Sequence, residues 1–219
     1  MNSSHLLEHL HRLRVVPVVT LPDVRQADPL GETLLEAGLP VAEITFRTGA
    51  ARDGIAALRL RHPDLLVGAG TVLDRATVDR ALDAGAQFIV APGFNPDVVD
   101  HCLRLNVPVV PGVNNPTGIE AALARGLSLI KYFPAEASGG LRLLDAMAAP
   151  YDRVSFMPTG GVTPDNLGDY LSRPCVAACG GTWIAGASLL AEGDFAAIAD
   201  NARRAVEIAA ARPGAATAS

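Results

Sequence analysis

The residue of this sequence best suited to covalent chemistry is its only lysine, Lys131, which lies in the apolar run Leu127 to Phe133. The other 17 of the 18 basic side chains are arginines. A neutral amine can attack a carbonyl carbon and form a Schiff base, whereas a guanidinium stays protonated and cannot. Burial favours the neutral form of an amine. The pattern therefore predicts a nucleophilic lysine, and the alternative is a lysine whose stem packs while its head reaches solvent.

An acidic residue, Glu43, stands inside another apolar stretch, "VAEITF". Burying a carboxylate is unfavourable unless the group is paired or used. Schiff-base chemistry needs a group that moves protons while the imine forms and a carbon–carbon bond breaks, and a carboxyl group in a partly apolar site suits that task. The strand alone leaves two interpretations open, namely an acid–base partner for Lys131 or a structural ion pair between Glu43 and Arg47.

Two glycine pairs in the last third of the chain are typical of phosphate-binding loops. They occur in "PTGGVTPDN" and "CGGTWIAG". Exposed backbone N–H groups beside a helix N-terminus commonly bind phosphate in barrel enzymes, and glycine allows a close approach. Because Gly-Gly is also ordinary turn chemistry, the argument depends on the two loops occurring together. Thr182 adds a hydroxyl near the start of a helix, and the two loops comprise Thr159, Gly160, Gly161, Gly180, Gly181 and Thr182.

Eight short apolar runs predict the strands that position these residues. Most are continuous rather than alternating, which is typical of strands buried on both faces of a parallel sheet. Their starts lie 20 to 26 residues apart, which leaves room for a helix and two short loops between neighbours. The predicted strands are Val15–Val19, Val41–Thr45, Leu65–Gly68, Gln87–Val90, Val107–Val110, Leu129–Phe133, Val154–Met157 and Cys175–Cys179.

The segments between the runs carry helix signals. Asn95 and Asn115 each precede a proline, which is the expected opening of a helix. The segment "DRATVDRALDAGAQ" has one apolar face and reaches Gly85, a typical C-terminal stop. Further helices are predicted over residues 50–60, which are rich in alanine, and over residues 194–211.

The alternation of strands and helices predicts an α/β fold, specifically a single-domain (β/α)8 TIM barrel over residues 1–211 with an additional N-terminal helix. The alternative, an open doubly wound sheet, would have fewer strands and a G-x-G-x-x-G loop after the first of them. No such motif follows Val19. The last residues, 212–219, predict a flexible C-terminal tail.

A barrel builds its active site at the carboxyl ends of its strands. Thr71 and Pro92 follow the third and fourth predicted strands, so both are candidate site residues. Alternation along the sixth strand puts Lys131 and Phe133 on one face. If that face points inward, it is aimed at the end of the barrel where Glu43 should lie.

Composition excludes several other classes of protein. The net charge of -5 argues against a general affinity for nucleic acid or anionic membranes. No apolar run approaches the roughly 20 residues of a membrane span, and the first residues lack the pattern of a signal peptide, so we predict a cytoplasmic location. The three cysteines and five histidines form no spacing typical of a metal site, so no metal is predicted.

Taken in order, these motifs resemble a known enzyme family. The stretches "EITFRT", "VGAGTV", "AGAQFIVAPGF", "VPVVPGV", "IKYFPAE", "FMPTGGV" and "CGGTW" occur in the order and spacing of the bacterial 2-dehydro-3-deoxy-phosphogluconate (KDPG) aldolases. That family also handles 4-hydroxy-2-oxoglutarate (KHG). The resemblance runs from about Val15 to Ala210, which is nearly the whole chain.

The resemblance implies a class I aldolase, a carbon–carbon lyase that needs no metal or other cofactor and is typically a homotrimer. Such an enzyme splits KDPG, a 2-keto-3-deoxy sugar acid phosphate, into pyruvate and glyceraldehyde 3-phosphate. This is a late step of the Entner–Doudoroff route. By position, Lys131 resembles the Schiff-base lysine of the family and Glu43 its general acid–base.

The resemblance also implies roles for the residues around this pair. Arg47 and Thr71 match residues that hold the pyruvate carboxylate, and a guanidinium suits that task because it can bind a carboxylate through two hydrogen bonds. Phe133 and Pro92 resemble the apolar walls around the pyruvyl unit. The six residues of the two glycine loops match the region that binds the distal hydroxyls and the phosphate. Thr182 departs from the family pattern, where serine is common, and adds a methyl group beside the phosphate.

Other functions remain as alternatives. Within the family, the enzyme could prefer KHG or the phosphogalactonate epimer, although Thr159 agrees with the gluconate-type branch. Barrel isomerases and synthases, including thiamine phosphate synthases, share phosphate loops after the last two strands but do not need the buried lysine. A phosphosugar-binding module without catalysis is the non-enzyme alternative, and the presence of Glu43, Arg47 and Lys131 counts against it.

Overall fold

The computed structural model describes residues 2–211, and the predicted tail, residues 212–219, lies outside the described residues. Strands and helices largely alternate along the described chain, with two successive strands within residues 109–113 and successive helices within residues 135–148 and 187–210. The strands are β1 Val15–Val19, β2 Val41–Thr45, β3 Leu66–Gly70, β4 Phe88–Val90, β5 Val109–Val110, β6 Gly112–Val113, β7 Leu129–Tyr132, β8 Ser155–Pro158 and β9 Cys179–Gly181. The helices are α1 Ser3–Leu13, a 3-10 turn Val24–Gln26, α2 Ala27–Glu36, α3 Ala51–Arg61, α4 Arg75–Asp83, α5 Pro96–Arg104, α6 Pro116–Leu123, α7 Ala135–Ser138, α8 Gly140–Ala148, α9 Pro164–Leu171, α10 Ala187–Glu192 and α11 Phe195–Ala210.

The helix starts follow from local sequence. The side chains of Asn95 and Asn115 accept hydrogen bonds from backbone N–H groups in the first turns of α5 and α6, at 3.0 and 2.9 Å. Each asparagine accepts from a backbone N–H that has no partner within the helix. The proline that follows the asparagine has no N–H, so it leaves no donor unpaired. These two predicted helix starts are confirmed.

All strand pairings in residues 2–211 are parallel. Hydrogen bonds define a six-stranded sheet in the order β5-β4-β3-β2-β1-β9 and a three-stranded sheet in the order β6-β7-β8. Two isolated parallel bridges, Phe156 to Val176 and Thr159 to Gly180, connect β8 to the segment of β9. The fold is therefore α/β with a curled parallel sheet, and its strands form a six-stranded half-barrel rather than one unbroken eight-stranded sheet.

The fifth predicted strand, Val107–Val110, is observed only as β5, and a second short strand, β6, follows beyond the predicted run. β5 pairs with β4, and β6 pairs with β7. Pro111 stands between β5 and β6 and, because proline has no backbone N–H, it cannot donate to a ladder. The missing donor separates the two sheets at this position.

The eighth predicted strand, residues 175–179, is wrong in its position. The strand β9 begins only at Cys179. Ahead of it, a turn around Pro174 is closed by the Val176 N–H, which donates to the Arg173 carbonyl at 3.0 Å. Residues 175–177 meet β8 only through the single bridge between Phe156 and Val176, so the apolar run overstates the strand. Cys175 is only half-buried, whereas Cys179 is buried.

The core confirms the continuous apolar pattern of the strands. Each residue of β1, β2 and β3 is buried. The helix α1 buries Leu6 and Leu10. Over the part of the chain that is described, no helix has both the length and the apolar character needed to span a bilayer. Within residues 2–211, no three histidine, cysteine, aspartate or glutamate side chains are grouped so that they could hold a metal ion.

Candidate active site

The structure brings Lys131 and Glu43 together. Lys131 lies on β7 and Glu43 on β2, 88 positions apart in the chain, and the lysine Nζ donates to the glutamate Oε1 at 3.1 Å. The exposed fractions of the two side chains are 6% and 0%. The lysine head therefore does not reach bulk solvent, and the carboxylate is paired with Lys131 rather than with Arg47.

Burial makes this pair unusual. An isolated charge is very unfavourable inside a protein, and a pair is tolerated when the geometry is good and the remaining polar atoms are satisfied. Here Glu43 Oε2 is buried and has no hydrogen-bond partner among the described residues. One carboxylate oxygen thus holds the amine, and the other remains able to accept a proton or a hydrogen bond.

A glycine on the neighbouring strand makes room for the carboxylate. Gly70 ends β3 and pairs in register with Thr45 of β2. A Cβ atom at Gly70 would lie 2.2 Å from Glu43 Oε1, far inside contact distance. The sequence interpretation missed this requirement, although the "GAGT" motif was the available signal. A residue with any side chain at position 70 would displace the carboxylate.

Phe133 follows β7 and lies beside both the lysine and a glycine loop. The Lys131 Nζ is 5.3 Å from the centroid of the Phe133 ring, within the range of a cation–π contact. A Cβ at Gly160 would lie 3.3 Å from the same ring. The aromatic ring thus connects the amine to the loop after β8.

The other candidates follow their strands at the same edge of the fold. Thr71, directly after β3, has a positive φ of 56°, which is uncommon for a threonine and typical of functional sites. The Pro92 carbonyl, after β4, would lie 2.1 Å from a Cβ atom added at Gly112, so these two backbone segments pack closely. Arg47, after β2, is exposed. Within residues 2–211 no hydrogen bond or ion pair joins Arg47 to the lysine–glutamate pair.

The two glycine loops lie side by side. The Thr159 side chain is buried, and a Cβ at Gly180 would lie 2.3 Å from its Oγ1. Gly160 and Gly161 both have positive φ, 94° and 83°, a backbone conformation that favours glycine. Gly181 ends β9, and Thr182 follows it with an exposed side chain.

The backbone of the first loop leaves a donor free at Gly161. The carbonyls of Thr159 and Gly160 accept hydrogen bonds from the N–H groups of Ala135 and Glu136, at 2.8 and 3.0 Å. Outside the sheet ladders, the Gly161 N–H has no acceptor among the described residues, whereas Gly160 adjoins the parallel bridge that pairs Thr159 with Gly180. A free N–H group close to a helix start favours an anion, and α9 begins at Pro164.

The cysteines do not offer a second nucleophile. Burial raises the pKa of the Cys102 thiol to about 12 and raises the pKa of the Cys179 thiol as well. The thiolate is the reactive form of cysteine, so both side chains remain protonated thiols near neutral pH.

Comparison with known proteins identifies the enzyme class. Residues 6–201 match the family model described as KDPG and KHG aldolase. The 2-dehydro-3-deoxy-phosphogluconate aldolase of Treponema pallidum is 47% identical over 203 residues, covering 93% of this chain and 97% of the relative. The chain is therefore a lyase of the aldolase class. More particularly, it belongs to the KDPG and KHG aldolase family.

Solved structures have the same fold. The 2-keto-3-deoxy-6-phosphogluconate aldolase of Zymomonas mobilis with 3-phosphoglycerate has a TM-score of 0.87 and 37% identity, covering 92% of this chain and 95% of that one. The KDPG aldolase of Legionella pneumophila, with pyruvate captured as a covalent carbinolamine intermediate, has a TM-score of 0.84 and 33% identity, covering 87% and 92%.

Proposed function

We propose that this enzyme cleaves KDPG to pyruvate and glyceraldehyde 3-phosphate through a Schiff base on Lys131. The observation that carries the proposal is the buried contact of 3.1 Å between the Lys131 Nζ and Glu43 Oε1. Membership of the KDPG and KHG aldolase family supports the choice of substrate. The covalent pyruvate adduct in the Legionella pneumophila relative supports the chemistry.

Imine formation needs the amine to lose a proton and the substrate to lose an oxygen. In the proposed sequence, Glu43 accepts a proton from Lys131, and the neutral Nζ attacks C2 of the keto acid. The resulting carbinolamine loses its hydroxyl as water when Glu43 returns a proton to it. Carboxylic acids placed within hydrogen-bond reach of the reacting group commonly supply such transfers. The product is a protonated imine at C2.

Cleavage then uses the same two residues. Glu43 takes the proton of the C4 hydroxyl, the C3–C4 bond breaks, and its electron pair moves toward the imine nitrogen to give an enamine. Glyceraldehyde 3-phosphate leaves. Protonation of the enamine at C3, followed by addition of water at C2, releases pyruvate and restores Lys131. The unpartnered Oε2 of Glu43 supports a role as the proton carrier, because no protein group competes for it among the described residues.

The remaining residues are proposed to hold the two ends of the substrate. Arg47 and Thr71 bind the carboxylate of the pyruvyl unit, and Phe133 and Pro92 form its apolar walls. The six residues of the glycine loops bind the distal hydroxyls and the phosphate. The free N–H group of Gly161 supports this assignment, as does the preference of anions for a helix N-terminus.

We also infer that the two sheets are arcs of one closed (β/α)8 barrel forming a single domain over residues 1–211. Two features support closure, namely the parallel bridge between Thr159 and Gly180 and the separation of β5 from β6 by a single residue, Pro111. By family resemblance we propose a homotrimer, which light scattering tests against the mass of one chain, 22.7 kDa.

A substitution at Gly70 tests the geometry of the pair. Gly70→Ala is expected to lower kcat/KM for KDPG by about 100-fold, because the new Cβ must push the carboxylate away from Lys131 and small displacements of catalytic groups have effects of that size. Steady-state kinetics measure the result. Gly49→Ala is the matched control, since a Cβ there meets nothing within 4 Å. Equal activity in the two variants would contradict the proposed role of Glu43.

Pyruvate release from KDPG and from KHG tests the function. We expect kcat/KM to be at least about tenfold higher on KDPG, because KHG lacks the phosphate that the glycine loops would bind by hydrogen bonds to a charged group. We expect the activity to survive EDTA. A preference for KHG or for the phosphogalactonate epimer would overturn the proposed substrate. Loss of activity in EDTA would overturn the metal-independent mechanism. An absence of turnover on any of these substrates would favour a non-catalytic module.

A further inference from the structure

Two residues outside the proposed catalytic machinery support the Gly160–Gly161 loop from behind. The first is Glu136, at the start of α7. Its backbone N–H donates to the Gly160 carbonyl at 3.0 Å. A Cβ at Gly161 would lie 2.6 Å from both Cβ and Cγ of Glu136, so the loop rests directly on the aliphatic part of this side chain.

The second residue is Tyr170, which lies on α9, the helix that follows the loop. Its side chain is fully buried, and its hydroxyl donates to Glu136 Oε1. Burial, and then the hydrogen bond to Glu136, raise the pKa of Tyr170, so the phenol remains a donor across the physiological range. The carboxylate lies beside Gly140, where an added Cβ would be 3.2 Å from Oε1.

The loop is therefore held on both sides. α7 supplies the N–H groups that bind the Thr159 and Gly160 carbonyls. From α9, the Asn166 Nδ2 donates to the Gly161 carbonyl at 3.1 Å. In a trans peptide the C=O and the N–H point in opposite directions. Because these carbonyls point toward the helices, the N–H groups of the same peptides point away from them. The Tyr170–Glu136 hydrogen bond ties the two supporting helices to each other.

We propose that Glu136 and Tyr170 are positioning residues for the phosphate end of the substrate, acting by holding the Gly160–Gly161 loop in its anion-binding conformation. The inference rests on the proposed function of that loop. Neither residue touches the reacting carbons. Replacing either one should therefore weaken binding of the phosphorylated substrate and leave the chemistry at C2 to C4 unchanged. The pair would distinguish phosphorylated from unphosphorylated keto acids through loop geometry.

The test compares kinetics on KDPG and KHG in the full-length enzyme. Tyr170→Phe and Glu136→Ala are expected to raise KM for KDPG about tenfold, the effect of weakening hydrogen bonds to a charged ligand, with kcat changed less than about twofold. KM for KHG should stay unchanged. Glu136→Gln keeps an acceptor for the tyrosine and the aliphatic stem, so it should retain a KM for KDPG close to the wild-type value.

A matched control is available elsewhere in the chain. The Tyr151 hydroxyl donates to Glu120 Oε1 at 3.1 Å, so Tyr151→Phe removes the same kind of hydrogen bond away from the loop and should leave both KM values unchanged. Parallel losses on KDPG and KHG in Tyr170→Phe would overturn the proposal, because they indicate general destabilisation. An unchanged KM for KDPG would overturn it as well.

Binding of inorganic phosphate separates this inference from the proposed reaction. Phosphate should raise the Tm of the wild-type enzyme and of Glu136→Gln, since a ligand of the folded state stabilises it, and should raise the Tm of Tyr170→Phe less at the same concentration. Wild-type enzyme that binds phosphate but does not cleave KDPG would overturn the reaction alone. Wild-type enzyme that shows neither response would overturn both.

Discussion

Lys131→Arg is expected to abolish turnover of KDPG, with kcat lowered on the order of 10⁴-fold or more, the scale seen when a covalent nucleophile is removed. A guanidinium cannot lose its proton to become a nucleophile. It can still pair with Glu43, which is 0% exposed. This makes arginine a better test than alanine, because removing one partner of a buried ion pair costs about 3–5 kcal/mol of stability.

Covalent trapping gives this prediction a direct readout. Pyruvate followed by borohydride should add the mass of a reduced pyruvate adduct to the peptide that contains Lys131, which carries the only lysine ε-amine of the chain. The double variant Lys131→Arg with Arg52→Lys is the control. It places an ε-amine at an exposed position, where no adduct should form. An active enzyme whose Lys131 peptide stays unmodified would contradict the mechanism.

Glu43→Gln is expected to lower kcat by about 10²–10⁴-fold, the usual contribution of a general acid–base. The amide keeps an acceptor for the Lys131 Nζ, which now lies 3.1 Å from Oε1, but it cannot carry the proton of the C4 hydroxyl. Pyruvate trapping on Lys131 should become slower without being abolished. The effect on kcat therefore separates proton transfer from the loss of the ion pair.

The matched control for Glu43→Gln is Glu120→Gln. Glu120 also accepts a hydrogen bond, from the Tyr151 hydroxyl at 3.1 Å, but it lies outside the proposed site. Its replacement should leave kcat and the rate of trapping unchanged. A Glu43→Gln enzyme that keeps more than about a tenth of the wild-type kcat would show that another group moves the proton.

Much of the secondary structure could be predicted from the sequence, because the signals are local. The Asn95 and Asn115 caps act within three residues of themselves, so the starts of α5 and α6 need no knowledge of the fold. Continuous apolar runs likewise predicted β1 and β2 with their observed bounds. The eighth strand was misplaced because residues 175–177 make only one isolated bridge to β8 and the pairing with β1 begins at Cys179, neither of which an apolar run reveals.

The candidate site was only partly predictable. Lys131 and Glu43 were selected because a charged side chain is unfavourable in a buried apolar strand unless it is paired or functional. The family motifs supported both choices. The sequence could not decide between Lys131 and Arg47 as the partner of Glu43, since both pairings were chemically reasonable. The tertiary fold decided it, because β2 and β7 belong to different sheets and yet place the Lys131 Nζ 3.1 Å from Glu43 Oε1 across 88 positions of chain.

The sequence by itself thus determined the alternation of strands and helices, the family, and the residue types able to form and break a Schiff base. These depend on propensity, on caps and on the chemistry of individual side chains. Only the tertiary structure decided which groups meet, namely the amine with the carboxylate, Gly70 with Glu43, and Tyr170 with Glu136. Contacts of this kind arise from packing between distant segments, whose distances are set by the whole fold and by no local pattern.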